Sequence, residues 1–215
     1  MLENITWFRQ SAMRLRTDGL VVYIDPWGTS EDDEPADLIL LTHAHDDHFR
    51  PEEIDHLTKG STKIAAPSDV ADELSGAVTA VSPGETHDIG GVRVRTVPAY
   101  NTVEHRLDRH PRAKGWVGYV VSLGGSTYYH SGDTDALPQL EEIVTDVAMV
   151  CIGGDPFTMG PSEAGGLVRA MAPGVAVPMH YGFRVGSARD AQEFRREADP
   201  IQVAELRPTN AFELV

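Results

Sequence analysis

Cysteine is almost missing from this chain of 215 residues: Cys151 stands alone, so no internal disulfide can form. Its surroundings, Val147-Ala148-Met149-Val150-Cys151-Ile152, read as the end of a buried strand. Lysine is scarce as well. Lys59, Lys63 and Lys114 are the only three, and 18 basic side chains face 33 acidic ones for a formal charge of -15. That balance argues against a sequence-independent grip on nucleic acid or an anionic membrane, both of which need clustered cations near phosphate. No stretch approaches the roughly 18 apolar residues of a spanning helix. The opening Met1 to Leu15 lacks the basic and apolar regions of a secretory signal, so a cytoplasmic protein without a membrane partner is expected. No repeat of fixed period and no linker stands out, which makes residues 1-215 one expected domain.

What is present is a series of short apolar runs, nearly all four to seven residues long and rich in Val and Ile, separated by turn signals. Strands are expected over Ile5 to Phe8, Met13 to Leu15, Leu20 to Ile24, Leu38 to Thr42, Lys63 to Ala65 and Val92 to Val97. Val117 to Leu123, Thr127 to His130, Val147 to Ile152, Val175 to Met179 and Ala211 to Leu214 complete the set. Helices are expected from Pro51, from Ser68 to Leu74, and over Asp135 to Val144, Ser162 to Met171 and Ser187 to Ala198. Strands come first, then two helices, then more strands, then alternation, an order that suits sheets covered by helices in an α/β protein.

Histidine is the unusual entry, with nine in the chain. The densest signal is Thr42-His43-Ala44-His45-Asp46-Asp47-His48, directly after Leu38-Ile39-Leu40-Leu41. Four donors at the end of a core strand can converge on a cleft, and imidazole with carboxylate is a ligand set that Zn, Mn, Fe and Ni accept. Two further strand ends add donors: Asp133 in Tyr129-His130-Ser131-Gly132-Asp133, and His180 in Pro178-Met179-His180-Tyr181-Gly182. A barrel amidohydrolase, whose metal site also opens on His-x-His, typically needs about 250 residues and eight strand-helix units.

With those motifs in place, the sequence resembles the metallo-β-lactamase superfamily, whose metal motif reads His-x-His-x-Asp-His. It is most similar to the small zinc-dependent hydrolases related to the ascorbate-6-phosphate lactonases. The likeness spans nearly the whole chain, from Ile5-Thr6-Trp7 and Tyr23-Ile24-Asp25-Pro26-Trp27 through Thr42 to Phe49 and Ser82-Pro83-Gly84-Glu85. It continues in Val97-Pro98-Ala99-Tyr100-Asn101, Gly118-Tyr119-Val120, Gly132-Asp133-Thr134-Asp135 and Pro178 to Gly182. The resemblance implies a four-layer αββα sandwich and a divalent-metal hydrolase, with two zinc ions expected and Mn, Fe or Ni as alternatives. It also implies that His43 and His45 bind the first metal, that Asp47, His48 and His180 bind the second, and that Asp133 bridges them.

One position departs from the family pattern. A further first-site histidine is expected after the Val92 to Val97 strand, where this chain reads Pro98-Ala99-Tyr100-Asn101. His110, in His110-Pro111-Arg112-Ala113-Lys114-Gly115, is the leading replacement and His105 the second. His56 and His87 read as surface residues, and His130 as a supporting hydrogen-bond partner.

The implied chemistry is attack by a metal-activated hydroxide, oriented by Asp47 and Asp133, on an ester, lactone, phosphodiester or similar bond in a small molecule. A nuclease or phosphodiesterase of the same fold is the alternative enzyme; a non-catalytic metal-binding or sensory protein with a degenerate first site is the alternative class. Gln10, Tyr100, Asn101, Lys114, Trp116, Asp155, Met159, Tyr181 and Arg184 sit on loops expected near the cleft, and Lys114 and Arg184 could receive an anionic group. Met159 and Phe183 are expected at the surface, where they could serve a homo-oligomer.

Overall fold

A computed structural model of the chain describes residues 1-17 and 19-209. Two six-stranded sheets carry the fold, each strung from one continuous stretch of sequence. The first takes β1 (Ile5–Trp7), β2 (Met13–Thr17), β3 (Leu20–Ile24), β4 (Ala36–Leu40), β5 (Thr58–Pro67) and β6 (Val78–Val81) in sequence order. The second takes β7 (Thr86–Ile89), β8 (Val92–Pro98), β9 (Val117–Leu123), β10 (Ser126–His130), β11 (Val147–Cys151) and β12 (Val175–Met179). In both sheets the early strands pair antiparallel and the last ones parallel. Parallel pairs need crossovers. These are supplied by α1 (Pro51–Leu57) and α2 (Ser68–Ala71) in the first half and α3 (Pro161–Met171) in the second, with α4 (Ala188–Glu197) packed on α3.

Alternation along the strands builds the layers. In β3, Val22 and Ile24 enter the core shared by the two sheets, while Val21 and Tyr23 point into a second cluster with Ile54 and Leu57 of α1 and Val70 of α2. In β4, Leu38 and Leu40 face the shared core and Ile39 the helical side. A sheet buried on both faces reads as a continuous apolar run, as Leu38 to Leu41 does. The result is the αββα sandwich.

Helix ends follow local chemistry. Pro51 opens α1 with Glu52 and Glu53 in its first turn. At α4 the Ser187 hydroxyl accepts from the Arg189 N–H, and the Asp190 carboxylate accepts from the Ser187 N–H at 2.6 Å.

The stretch Asp135 to Val144 does not form the expected helix; only the single 3-10 turn Pro138–Leu140 appears there. Pro138 lacks an N–H and crowds the carbonyl four residues back, and the buried Asp135 carboxylate is held by the backbone N–H groups of Thr102 and Val103 at 2.6 and 2.9 Å. The expected β5 is longer than Lys63 to Ala65. β6 and β7 had no apolar run to announce them, because they are short and half-exposed. The expected strand Ala211 to Leu214 lies outside the described residues.

Candidate metal centre

The C-terminal ends of the inner strands deliver the donor atoms. After β4 the chain turns tightly, with the N–H groups of His48 and Phe49 both donating to the His45 carbonyl at 3.0 and 2.8 Å. That turn leaves His43, His45, Asp47 and His48 on one side. Asp133 follows β10 through Gly132, whose φ of +58° suits glycine and where a Cβ would stand 2.9 Å from the Val117 carbonyl. His180 follows β12, its N–H donating to the Gln10 carbonyl at 2.9 Å.

The donors fall into two triads. His43, His45 and His110 form one, and Asp47, His48 and His180 the other. Asp133 stands between them: its Oδ2 is 3.4 Å from His110 Nε2, 3.2 Å from His180 Nε2 and 4.0 Å from His43 Nε2, and its Oδ1 is 3.4 Å from His48 Nε2. Within the triads His43 Nε2 lies 3.1 Å from His45 Nδ1, and His180 Nε2 lies 3.4 Å from Asp47 Oδ2. Donors bound 2.0–2.1 Å from a tetrahedral zinc stand about 3.3 Å apart, so these spacings match atoms gathered around shared cations. Four buried atoms at this focus, His48 Nε2, His110 Nε2, Asp133 Oδ1 and His180 Nε2, make no hydrogen bond within the protein. Buried polar atoms are seldom left so, and a pair of divalent ions would satisfy all four. The donor set therefore fits the metal that the sequence implies.

Outer partners fix which ring nitrogen faces inward. The Thr42 hydroxyl donates to Asp25 Oδ2 at 2.6 Å, so toward His43 it can only accept, from Nδ1–H at 2.9 Å. His48 Nδ1–H donates to Asp25 Oδ2 at 2.7 Å. The Asn101 amide spends its two N–H bonds on the carbonyls of Arg106 and Phe157 at 3.0 and 2.7 Å. His110 Nδ1–H then donates to Phe157 O at 3.1 Å. In the neutral form all three rings present a bare Nε2 to the centre, the tautomer a metal ligand needs. Asp25, close to His43 and His48, has its oxygens taken by Thr42 and His48 and belongs to this outer ring.

Charge is tightly coupled here. Burial, with help from His110, pulls the His45 imidazole down to about 4. Burial would also lower His48, but Asp133, Asp25 and Asp47 together hold it well above its ordinary value. Burial would raise Asp133, yet His180, His48 and His110 keep it ionised far below the usual carboxylate range. The carboxylates at this centre require nearby positive charge.

Three of the four non-glycine residues with positive φ among the described residues, Gln10, Asp25 and His180, lie at this centre (φ 47°, 49° and 60°). Such backbone costs about 1–3 kcal/mol each and persists where position matters. At Gly153 a Cβ would stand 2.8 Å from His180 Nδ1, so glycine there makes room for the ring.

A model of the beta-lactamase superfamily domain matches residues 4–180. The chain belongs to that superfamily. Among the superfamily's members, a UPF0173 metal-dependent hydrolase of Methanopyrus kandleri is 32% identical over 98% of this chain and 99% of its own length. Another, from Thermococcus kodakarensis, is 37% identical over 83% and 82%. In structure, a protein of Parabacteroides distasonis described as a metal-dependent hydrolase superposes with a TM-score of 0.86 at 28% identity, covering 95% and 93% of the two chains. This superfamily member is thus a metal-dependent hydrolase of the metallo-β-lactamase fold.

The superfamily site opens onto a cleft of about 400 Å³ lined by His45, Asp46, Asp47, Arg109, Asp133, Phe157, His180, Arg184 and Val185. Arg184 binds both oxygens of Asp46 at 2.8 and 2.9 Å and lies over Trp27. Arg109 lies over the Phe157 ring, 5.0 Å from its centroid. Neither Arg109, Phe157 nor Asp25 was singled out in sequence.

Other expected residues lie elsewhere. His105 is exposed and pairs with Asp155 at 2.7 Å, away from His43 and His45. Lys114 pairs with Asp69 outside the cleft, and Trp116 packs on His43, His45 and His110 while its indole N–H donates to Asp69. Met159 is fully buried, so the expectation of a surface methionine is corrected; Phe183 is 38% exposed. Gln10 and Tyr181 are buried supports. His130 donates from Nε2 to the Ser11 carbonyl at 2.8 Å and accepts the Gly132 N–H on Nδ1, shaping the turn before Asp133. His56 and His87 stay on the periphery, beside Thr29 and Glu85. Among the described residues no helix is long and apolar enough to cross a membrane.

Proposed function

We propose that this chain hydrolyses an ester, lactone, phosphodiester or similar bond in a small molecule, using two zinc ions held by His43, His45 and His110 on one side and Asp47, His48 and His180 on the other. Asp133 bridges the two sets. The observation that carries this reading is the position of Asp133, within 3.4 Å of ligand atoms from both triads. When bound, such ions acidify a coordinated water and polarise a carbonyl or phosphoryl oxygen.

The residues do the rest. Asp47 is the more open of the two central carboxylates, its side chain 14% exposed against 3% for Asp133. It faces the cleft and would orient the attacking water, while Asp133 holds the reacting centre between the triads. Phe157 and Val185 supply an apolar wall against bulk water. Arg109 supplies a cation above that wall, suited to a carboxylate or phosphate on the substrate. Cys151 offers no competing nucleophile: burial pushes its thiol up to about 12.

Elemental analysis of the purified protein, followed by hydrolysis assays on generic phosphodiester, lactone and thioester substrates, tests this reading. Zinc is expected at two per chain, with turnover lost in both His48→Ala and Asp133→Ala; retained turnover in both variants overturns it.

A further inference from the structure

We propose that Arg106 and Asn101 are positioning residues that set the occupancy of the first metal site by fixing the loop that presents His110; this rests on His43, His45 and His110 being metal ligands. The two triads are tethered differently. His180 follows directly on Met179 at the end of β12, and the turn bearing Asp47 and His48 starts at the end of β4. His110 instead sits deep in the long connection between Pro98 of β8 and Val117 of β9, which contains only two short 3-10 turns. Its place depends on what holds that connection.

Arg106 holds it. Its side chain is buried, 7% exposed, and reaches carboxylates from three other segments: Nε donates to Asp155 at 2.5 Å, one terminal nitrogen to Asp135 at 2.8 Å, and both terminal nitrogens to Glu163 at 3.0 Å. Asp135 lies two residues beyond the bridging Asp133. Asp155 lies two residues before Phe157, whose carbonyl orients His110. Glu163 accepts the Gly160 N–H at the start of α3. One guanidinium therefore ties the His110 loop to the Asp133 turn and to the segment that sets the His110 tautomer. Removing its charge would leave three carboxylates facing one another.

Asn101 closes the same loop from within. It ends the stretch Pro98-Ala99-Tyr100-Asn101, in which the family pattern places a histidine, and it carries no metal-binding nitrogen. Its N–H donates to the His110 carbonyl at 2.8 Å, and its side chain reaches the Arg106 and Phe157 carbonyls. The stretch that lacks the family histidine thus supplies a residue that holds the candidate replacement. The second triad leans on Asp25 and Gln10, and among the described residues no hydrogen bond runs to it from Arg106 or Asn101.

The test is competitive zinc titration against a chromophoric chelator, with elemental analysis, on the full chain and on Arg106→Met, Arg106→Lys and Asn101→Ala. The expected wild type binds two ions. In Arg106→Met one ion stays tight and the apparent Kd of the other rises about 10–100-fold, the usual cost of losing an outer partner. Arg106→Lys, which keeps the charge without the fork, recovers part of that loss. Asn101→Ala shows the same selective weakening with the Arg106 contacts to carboxylates in place, which keeps the test open where Arg106→Met does not fold. Unaltered affinity in either folded variant overturns the proposal, as does equal loss of both ions, which marks a general structural role. A wild-type chain that binds no divalent ion overturns the metal reading along with it, and that result precedes any variant.

Discussion

Asp25 and His48 form a fully buried pair in which Asp25 Oδ2 accepts the Nδ1–H of His48 at 2.7 Å. The same carboxylate accepts the Thr42 N–H at 2.8 Å and the Thr42 hydroxyl at 2.6 Å. Asp25→Asn keeps the shape but offers an N–H where the imidazole needs an acceptor. The His48 proton is then expected to move to Nε2, blocking that nitrogen as a ligand. The Thr42 hydroxyl that fixes the His43 tautomer leans on the same Oδ2, so metal binding should weaken at both triads, by about 10–100-fold. Titration of metal content measures this, and two tightly bound ions in the variant would count against the tautomer assignment.

His110 and His105 lie five residues apart, and only His110 faces the other donors. His110→Ala should lower metal content from two ions to one and cut turnover by more than the roughly 100-fold upper cost of an outer partner. His105→Ala, which removes an exposed contact with Asp155, should leave both unchanged. Elemental analysis and initial rates on the two variants decide between them.

Arg109 and Phe157 make the cleft wall selective. A charge-assisted bond is worth about 1.5–3 kcal/mol, so Arg109→Ala should raise KM about 10–100-fold for a substrate bearing a carboxylate or phosphate. A neutral ester with the same leaving group should be affected much less. Equal KM changes for both substrates would remove Arg109 from recognition.

Cys151 links stability to alkaline pH. Burial holds its folded-state thiol near 12, well above the roughly 8.5 of an unfolded cysteine. Below about pH 8.5 both states are protonated and the thiol contribution is constant. Above it only the unfolded chain releases the proton, so stability falls by up to about 1.4 kcal/mol per pH unit until pH nears 12. Cys151→Ala should flatten that part of the denaturation profile. Native protein at pH 8 should also resist thiol alkylation that unfolded protein undergoes readily.

The site was legible wherever its residues cluster in sequence. Thr42 to His48, Asp133 and His180 each follow an apolar run, so strand ends alone suggest that they meet. His110 was legible as one of two candidates, because nothing local separates it from His105; the choice is made by contacts with Asn101 and with Phe157, 47 residues away. Asp25 had a weaker signal, a carboxylate before proline at the end of an apolar strand, and its partner lies 23 residues on. Arg106 looked like any surface arginine in an acidic chain, since its three carboxylates come from segments 29 to 57 residues away. The apolar runs pointed to sheets covered by helices, and the family resemblance supplied the four-layer sandwich. The misses were the half-exposed β6 and β7, which carry little apolar patterning, and the stretch around Pro138, where long-range hydrogen bonds to Asp135 override local helical pattern.

Each sheet is strung from its own contiguous stretch, one ending at Val81 and the other beginning at Thr86. His43 and His45 come from the first stretch and His110 from the second; Asp47 and His48 come from the first and His180 from the second. Every ion held at such a centre is therefore a rivet across the seam, and neither half owns a complete set of donors. Metal binding is thus coupled to the docking that the shared apolar core also holds, so the unfolding midpoint should climb with the concentration of the free metal ion by mass action.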